Sequence, residues 1–298
     1  MDNHIFEKNV ALLSGMSEEE MLIMPTGDAP LPSVEALRQV VETVKMLVFP
    51  GFFDKRQTDC DIRAYHIGLN MERLATLLNK QVELALLADS PDDEERAARR
   101  ARELTLRFID RLPEVKRLLY TDVAAIYHDD PAAHTGSEVV CCYPVVEAMT
   151  HYRIAHELLR MGIPVIPRII TEQAHAKTGI DIHPGAQIGE YFSIDHGTGV
   201  VIGETCIIGN HVTLYQGVTL GARNYKLSGK ERPANAPRHP ILEDNVTIYS
   251  NSTILGRVTI GHDTVIGGNI WITTSVPPHA RILQGKHIDA TFTGGLGI

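Results

Sequence analysis

Asp195-His196 is a polar pair set inside an apolar rhythm, and Asp181 lies fourteen residues before it. Imidazole is the side chain that takes up and returns a proton near neutral pH. A carboxylate bonded to one ring nitrogen fixes the tautomer and raises the basicity of the other, so these residues read as a general base awaiting a hydroxyl. A separation a little under one eighteen-residue coil puts Asp181 and His196 on adjoining faces near one corner. A second polar stretch, GARNYKLSGKERPANAPRHPI over residues 221–241, carries Arg223, Lys226, Lys230, Arg232 and Arg238 in a chain of net charge −9. A loop of about twenty residues inside a regular repeat is more often functional than accidental.

The element that positions these residues is a repeat of six. Aliphatic residues fall at Ile182, Ile188 and Ile194, then after a two-residue slip at Ile202, Ile208, Leu214 and Leu220, and past residues 221–241 at Leu242, Ile248, Ile254, Ile260, Ile266 and Ile272. A helix repeats its apolar face every 3.6 residues and a strand every two, so this period needs a third geometry. The fourth residue after each is mostly small or β-branched, as at Ala186, Thr198, Cys206, Val212, Val218, Val246, Ser252, Val258, Thr264 and Val276. This pattern predicts a hexapeptide β-helix, three short strands and three corners per coil. Gly189, Gly203, Gly209, Gly261 and Gly267 follow the aliphatic residue, where the corner needs a residue without a Cβ.

The first half reads as all-α. Residues 1 to about 30 are expected to be irregular. Ser33 caps a helix carrying Val34, Leu37, Val41, Val44 and Val48, ended by FPGFF. Further helices are expected from about Asp61 to Ala88, from Asp92 to about Leu119 with a kink near Pro113, from Pro144 to Met161, and from Pro167 to Lys177. His151 and His156 lie five apart, off the i, i+4 spacing of helical metal pairs, and read as structural. The organisation is therefore an α-helical domain over 1–178, a β-helix over 179–285 interrupted by the loop 221–241, and a tail over 286–298.

Composition narrows the functions. The acidic balance without a basic block argues against nucleic acid or an anionic membrane as partner. No apolar run approaches 18 residues, the N-terminus lacks a signal-peptide layout, and Cys60, Cys141, Cys142 and Cys206 show no CxxC spacing, so a cytoplasmic protein with reduced thiols is expected.

The run from Ile180 to Gly285, with IDIHPGAQIG followed by IDHGTGVVIGET, resembles the hexapeptide-repeat acyltransferases, and in detail the serine O-acetyltransferases. The resemblance implies a left-handed parallel β-helix behind helices that pair two trimers into a hexamer. It also implies transfer of acetyl from acetyl-CoA to the hydroxyl of L-serine, the first step of cysteine synthesis, with no metal. His196 is then the general base, Asp181 its partner and Asp195 a contact for the substrate amino group. Arg238 suits the α-carboxylate, because a guanidinium holds a carboxylate through two parallel hydrogen bonds. His239 is the second active-site histidine. Asp130, in a turn resembling the family's Asp-Pro-Ala, reaches the substrate pocket. Ala222, Ser250 and Asn251 fall where the family contacts the pantetheine arm of acetyl-CoA. The loop is longer than the family's short pattern, and Gly221-Ala222-Arg223 replaces its Gly-Gly-Thr. The GGLGI ending resembles the tail by which family members dock on O-acetylserine sulfhydrylase through the terminal isoleucine, here Ile298, and cysteine is the family's feedback inhibitor.

Two rival chemistries share the scaffold. One is acetyl transfer to homoserine or a sugar, although a sugar leaves Arg238 unpaired. The other is a zinc-dependent hydratase of the γ-carbonic-anhydrase type, which needs converging histidines such as His183, His196 and His211. A purely binding role, with the tail regulating a partner enzyme, leaves Asp181, Asp195 and His196 unexplained.

Overall fold

The computed structural model describes residues 3–23, 31–53, 60–89, 93–223 and 236–284. Its helices are α1 Asn3–Ser14, α2 Glu18–Ile23, α3 Val34–Val48, α4 Cys60–Asp89, α5 Glu94–Asp129, α6 Gly136–Cys142, α7 Pro144–Arg160 and α8 Ile166–Thr178.

Three helical expectations need correction. The first thirty residues are not irregular throughout: α1 and α2 lie there, and α2 starts on a reciprocal cap in which Glu20 N–H donates to Ser17 Oγ at 3.2 Å and Ser17 N–H to Glu20 Oε2 at 2.6 Å. Helix α5 runs through Pro113 to Asp129 rather than ending near Leu119, because Val115, Leu119, Asp122, Ala125 and Ile126 continue its buried stripe. The short α6, capped by Thr135, was hidden by its length. Ser33 caps α3 as expected, its Oγ accepting from Ala36 N–H at 3.2 Å, and Gly179 ends α8 at φ +70°.

Residues 181–223 and 236–282 form a parallel β-helix. Face one stacks β1 Asp181–Ile182, β4 Val201–Ile202, β7 Thr219–Gly221, β10 Thr253–Leu255 and β13 Trp271–Ile272. Face two stacks β2 Gln187–Ile188, β5 Ile207–Ile208, β8 Ile241–Leu242 and β11 Thr259–Ile260. Face three stacks β3 Ser193–Asp195, β6 Thr213–Tyr215, β9 Thr247–Ile248, β12 Val265–Ile266 and β14 Arg281–Ile282. The register places every third aliphatic position on one column: Ile182, Ile202, Leu220, Ile254 and Ile272 on face one, for example. These columns are buried, so the period of six is the core of the coil seen along the chain. We call the edge between faces one and two the first, that between two and three the second, and that between three and one the third.

The glycines after the aliphatic residues are needed for close approach. A Cβ on Gly203 would stand 2.0 Å from the His239 ring, and one on Gly189 2.6 Å from the backbone oxygen of Gly209. The left-handed corner positions are instead taken by residues such as His196, Asn245, Asn251 and Asp263, with φ from 57° to 60°.

Helices α5 and α7 seal the first coil. Tyr152 Oη donates to Ala186 O at 2.6 Å, and Arg153 donates to Ile188 O at 2.7 Å and Gly189 O at 2.6 Å. His156 Nδ1 lies 2.8 Å from Pro184 O. Asp122 Oδ1 accepts from Phe192 N–H at 3.2 Å, and its carboxylate takes two hydrogen bonds from Arg153 at 3.0 and 3.1 Å. The terminal rung would otherwise expose an unpaired strand edge. Deleting either buried partner strands the other's charge, a loss of about 3–5 kcal/mol. His156 thus joins helix to coil, and His151 bonds the Glu147 carbonyl at 2.8 Å, structural roles for both.

Candidate active site

The two-residue slip between Ile194 and Ile202 is a lengthened third-edge turn, and His196 sits at its tip with φ +57°. Its side chain is 70% exposed, with Nδ1 3.7 Å from Asp195 Oδ1. The end of α5 brings Asp130 to the same place. Asp130 Oδ1 accepts from Ala132 N–H at 2.8 Å in the Asp-Pro-Ala turn, and Oδ2 accepts from Tyr143 Oη at 2.5 Å. That phenol, then the Ala132 amide, hold the Asp130 carboxyl below the usual carboxylate range, and nearby His196 adds to the effect. The bond pushes the Tyr143 phenol up to about 12. Asp129 accepts from Thr213 Oγ1 at 3.0 Å and fastens the helix end to face three. The third edge thus sets two carboxylates beside one exposed imidazole, an arrangement suited to binding a cation beside a proton acceptor.

Ser250 and Asn251 lie on this edge farther along the coil. Asn251 N–H donates to Gln216 O at 2.9 Å, and Gly217 packs so closely under Asn251 that a Cβ would stand 2.1 Å from its amide oxygen. An elongated ligand laid along the edge would run from Asn251 past Gly217 to His196.

Arg238 and His239 occupy the first edge, on the other side of face one, where the chain returns from residues 224–235, which lie outside the described residues together with Lys226, Lys230 and Arg232. Arg238 Nη2 pairs with Glu204 Oε2 at 2.7 Å. The Arg238 and His239 amides both donate to Thr205 Oγ1, at 2.9 and 3.1 Å, and Arg257 Nη1 donates to the Thr205 and His239 carbonyls at 2.6 and 3.0 Å. His239 Nδ1 accepts from Thr205 N–H at 3.1 Å and lies 2.9 Å from Thr205 Oγ1. An amide can only donate, so Nδ1 holds the lone pair and Nε2 carries the proton. Burial, then the Arg238 cation, lowers His239 to about 4, and it is a neutral donor. Ala222 directly follows β7, whose last residue is Gly221, where the chain enters this edge.

Asp181 points outward from β1. It belongs electrostatically with His183, whose ring is lowered by burial and by Arg168, while Glu204 and Asp181 act in the opposite direction. Among the described residues, no hydrogen bond or ion pair joins Asp181 to His196 within one chain.

The predicted site residues therefore fall into two groups flanking face one: Asp130, Asp195, His196, Ser250 and Asn251 at the third edge, and Ala222, Arg238 and His239 at the first, with Asp181 on the face between. Sequence reasoning missed Tyr143, Thr205 and Arg257. Only Tyr143 carried a signal, as the residue between a short helix and Pro144. His183, His196 and His211 lie on three different edges. Cys206 is fully buried and its thiol is pushed up to about 12 by burial, which suits core packing and not nucleophilic work.

No family model matches the sequence. The chain is 44% identical over 277 residues to the Synechococcus elongatus protein "Serine acetyltransferase, plasmid", covering 90% of this chain and 86% of that one. A Staphylococcus xylosus serine acetyltransferase is 44% identical over 180 residues, 57% of this chain and 80% of its own. Among solved structures, Entamoeba histolytica serine acetyltransferase 1 in complex with L-cysteine superposes with a TM-score of 0.72 at 35% identity, covering 85% of this chain and 87% of that one.

Proposed function

We infer the reaction from one premise, that this chain belongs to the serine acetyltransferase family: it transfers acetyl from acetyl-CoA to the hydroxyl of L-serine, giving O-acetyl-L-serine and CoA for cysteine synthesis. The observation that carries the residue roles is the exposed His196 imidazole set among Asp195 and Asp130, with the Arg238 guanidinium across face one.

Serine carries an ammonium, a carboxylate and a hydroxyl. In this reading Asp195 and Asp130 take the ammonium, Arg238 the carboxylate, and His196 the hydroxyl proton as the oxygen attacks the thioester carbon. Asp181 steadies the imidazolium that forms. The N–H groups near Ala222 and the Nε2–H of His239 supply donors for the developing oxyanion. The C–S bond then breaks and His196 returns its proton to the CoA sulfur. Transfer is direct, without an acetyl-enzyme. The pantetheine arm lies along the third edge by Ser250 and Asn251.

Two groups on opposite edges cannot close on one serine within a single chain. A cyclic trimer brings the third edge of one β-helix against the first edge of the next, so each pocket takes His196 from one subunit and Arg238 and His239 from its neighbour. The helical regions would pair trimers into hexamers. Cysteine, which the Entamoeba histolytica relative was solved with, would occupy the serine pocket as an inhibitor. The residues ending at Ile298 would dock on the sulfhydrylase that consumes the product; they lie outside the described residues. A cytoplasmic setting agrees with free Cys141, Cys142 and Cys206, and no described helix is long and apolar enough to cross a membrane.

The test is thiol release from acetyl-CoA with L-serine, homoserine or no acceptor, with mass spectrometry of enzyme quenched without acceptor. Serine-dependent release and unmodified protein are expected. Release with homoserine alone overturns the substrate, and a trapped acetyl group overturns direct transfer.

A further inference from the structure

The second edge carries a cluster of side chains that acetyl transfer leaves unused. His262 and Asp263 follow Gly261 in the turn after β11, and His279 follows Pro277-Pro278 in the turn before β14. The coil stacks the two turns, with His279 N–H donating to His262 O at 2.9 Å. His262 Nδ1 lies 2.7 Å from Asp263 Oδ2, and His279 Nδ1 lies 3.5 Å from that same oxygen. The imidazoles meet edge to face with centroids 4.8 Å apart, and one ligand atom from each of the three residues lies within 4.8 Å of the others.

A simple carboxylate–imidazole hydrogen bond accounts for His262 alone. The second imidazole is turned on the same oxygen at ion-pair distance, so two ring nitrogens converge on one carboxylate, as they would around a shared cation. Two imidazoles and a carboxylate suit ions of the zinc type, and are a poor set for calcium or magnesium, which take oxygen ligands. Ligands about 2.1 Å from a tetrahedral zinc stand about 3.4 Å apart, inside the span of the two nitrogen–oxygen separations. The surroundings hold the donors in place. Asn245 Nδ2 donates to Asp263 Oδ1 at 3.0 Å, leaving Oδ2 to the imidazoles, and Glu243 Oε2 accepts from His262 N–H at 2.8 Å. All three ligand side chains are exposed, so the remaining coordination position opens to water.

We propose that His262, Asp263 and His279 form a site for a divalent transition-metal ion of the zinc type, one per chain, that clips the last coils of the β-helix together. The opposite end is sealed by α5 and α7, whereas this one leaves Trp271 and Leu283 more than two-thirds exposed. An ion bound across the turn before β12 and the turn before β14 stabilises that end by mass action.

The experiment is calorimetric titration of the full chain with zinc chloride, with calcium chloride as a control, alongside thermal unfolding with and without zinc. We expect one zinc ion per chain, affinity lowered at least about tenfold in His279→Ala, and a smaller loss in Asn245→Ala. Zinc should raise the unfolding midpoint of the wild type and not that of His262→Ala/His279→Ala, whose acetyl transfer without metal should equal wild type. Absence of saturable zinc binding, equal binding of calcium, or zinc binding unchanged in the double variant would overturn the site.

Discussion

His196 and His239 are set by the same repeat on opposite edges of one face, yet their surroundings separate them. His196 stands out on a turn two residues longer than its neighbours, 70% exposed and ringed by Asp195 and Asp130. His239 is 7% exposed, pressed against Gly203, with Nδ1 engaged by Thr205 and Arg238 beside it. Burial beside a guanidinium makes His239 an imidazole that stays neutral and donates, whereas His196 is left open to a ligand beside two carboxylates. In the trimer pocket proposed above, the two histidines divide the work, one moving the proton and the other holding charge.

The sharpest break of that division is His196→Ala. Acetyl transfer should fall at least about a hundredfold in kcat with the unfolding midpoint unchanged, because the side chain supports a general base and almost no packing. If kcat survives, His196 is not the base. Arg238→Ala should raise the KM for serine about tenfold to a hundredfold with a smaller change in kcat, the behaviour of a carboxylate anchor; an unchanged KM would remove the anchor from the first edge.

Gly203→Ala tests the buried partner without touching it. The new Cβ collides with the His239 ring, so we expect about 1–3 kcal/mol lost in denaturant titration and kcat lowered about tenfold. The pH dependence sharpens the point. His239 resists protonation when folded, so the unfolded chain takes up a proton first as pH falls below 6.5, and stability is lost from there down to about 4. His239→Asn should flatten that acid limb. The smallest effect is at Tyr143→Phe. Without the phenol, the Asp130 pKa rises toward the ordinary carboxylate range, so the acid limb of kcat/KM moves to higher pH and the KM for serine rises about threefold.

The β-helix was legible because parallel stacking turns each rung contact into a fixed interval along the chain: Ile182 and Ile202, Ile188 and Ile208, Ile194 and Leu214 meet in the coil as their spacing demands. Helix limits were less legible. Pro113 carries a local stop signal, which α5 overrides with a buried stripe that continues to Ile126. The capping box at Ser17 and Glu20 was in plain sight and outweighed by the polar run around it. At the site, residue types pointed to a base and a carboxylate anchor, but spacing could not assign them to opposite edges, since an interrupting loop has no period. Tyr143 escaped because its partner, Asp130, is joined to it through the packing of α5, α6 and α7 and not through any repeat.

The carbonyls of the first coil, held by Tyr152, Arg153 and His156, have a consequence in time. A growing chain exposes its N-terminal half first, so the helices can assemble before any strand has left the ribosome. The first rung then meets a finished template of donors, and each later coil adds onto the one before, as nearest-neighbour solenoids do. Synthesis and growth of the solenoid run in the same direction, and the edge of the first rung does not have to wait for its cover.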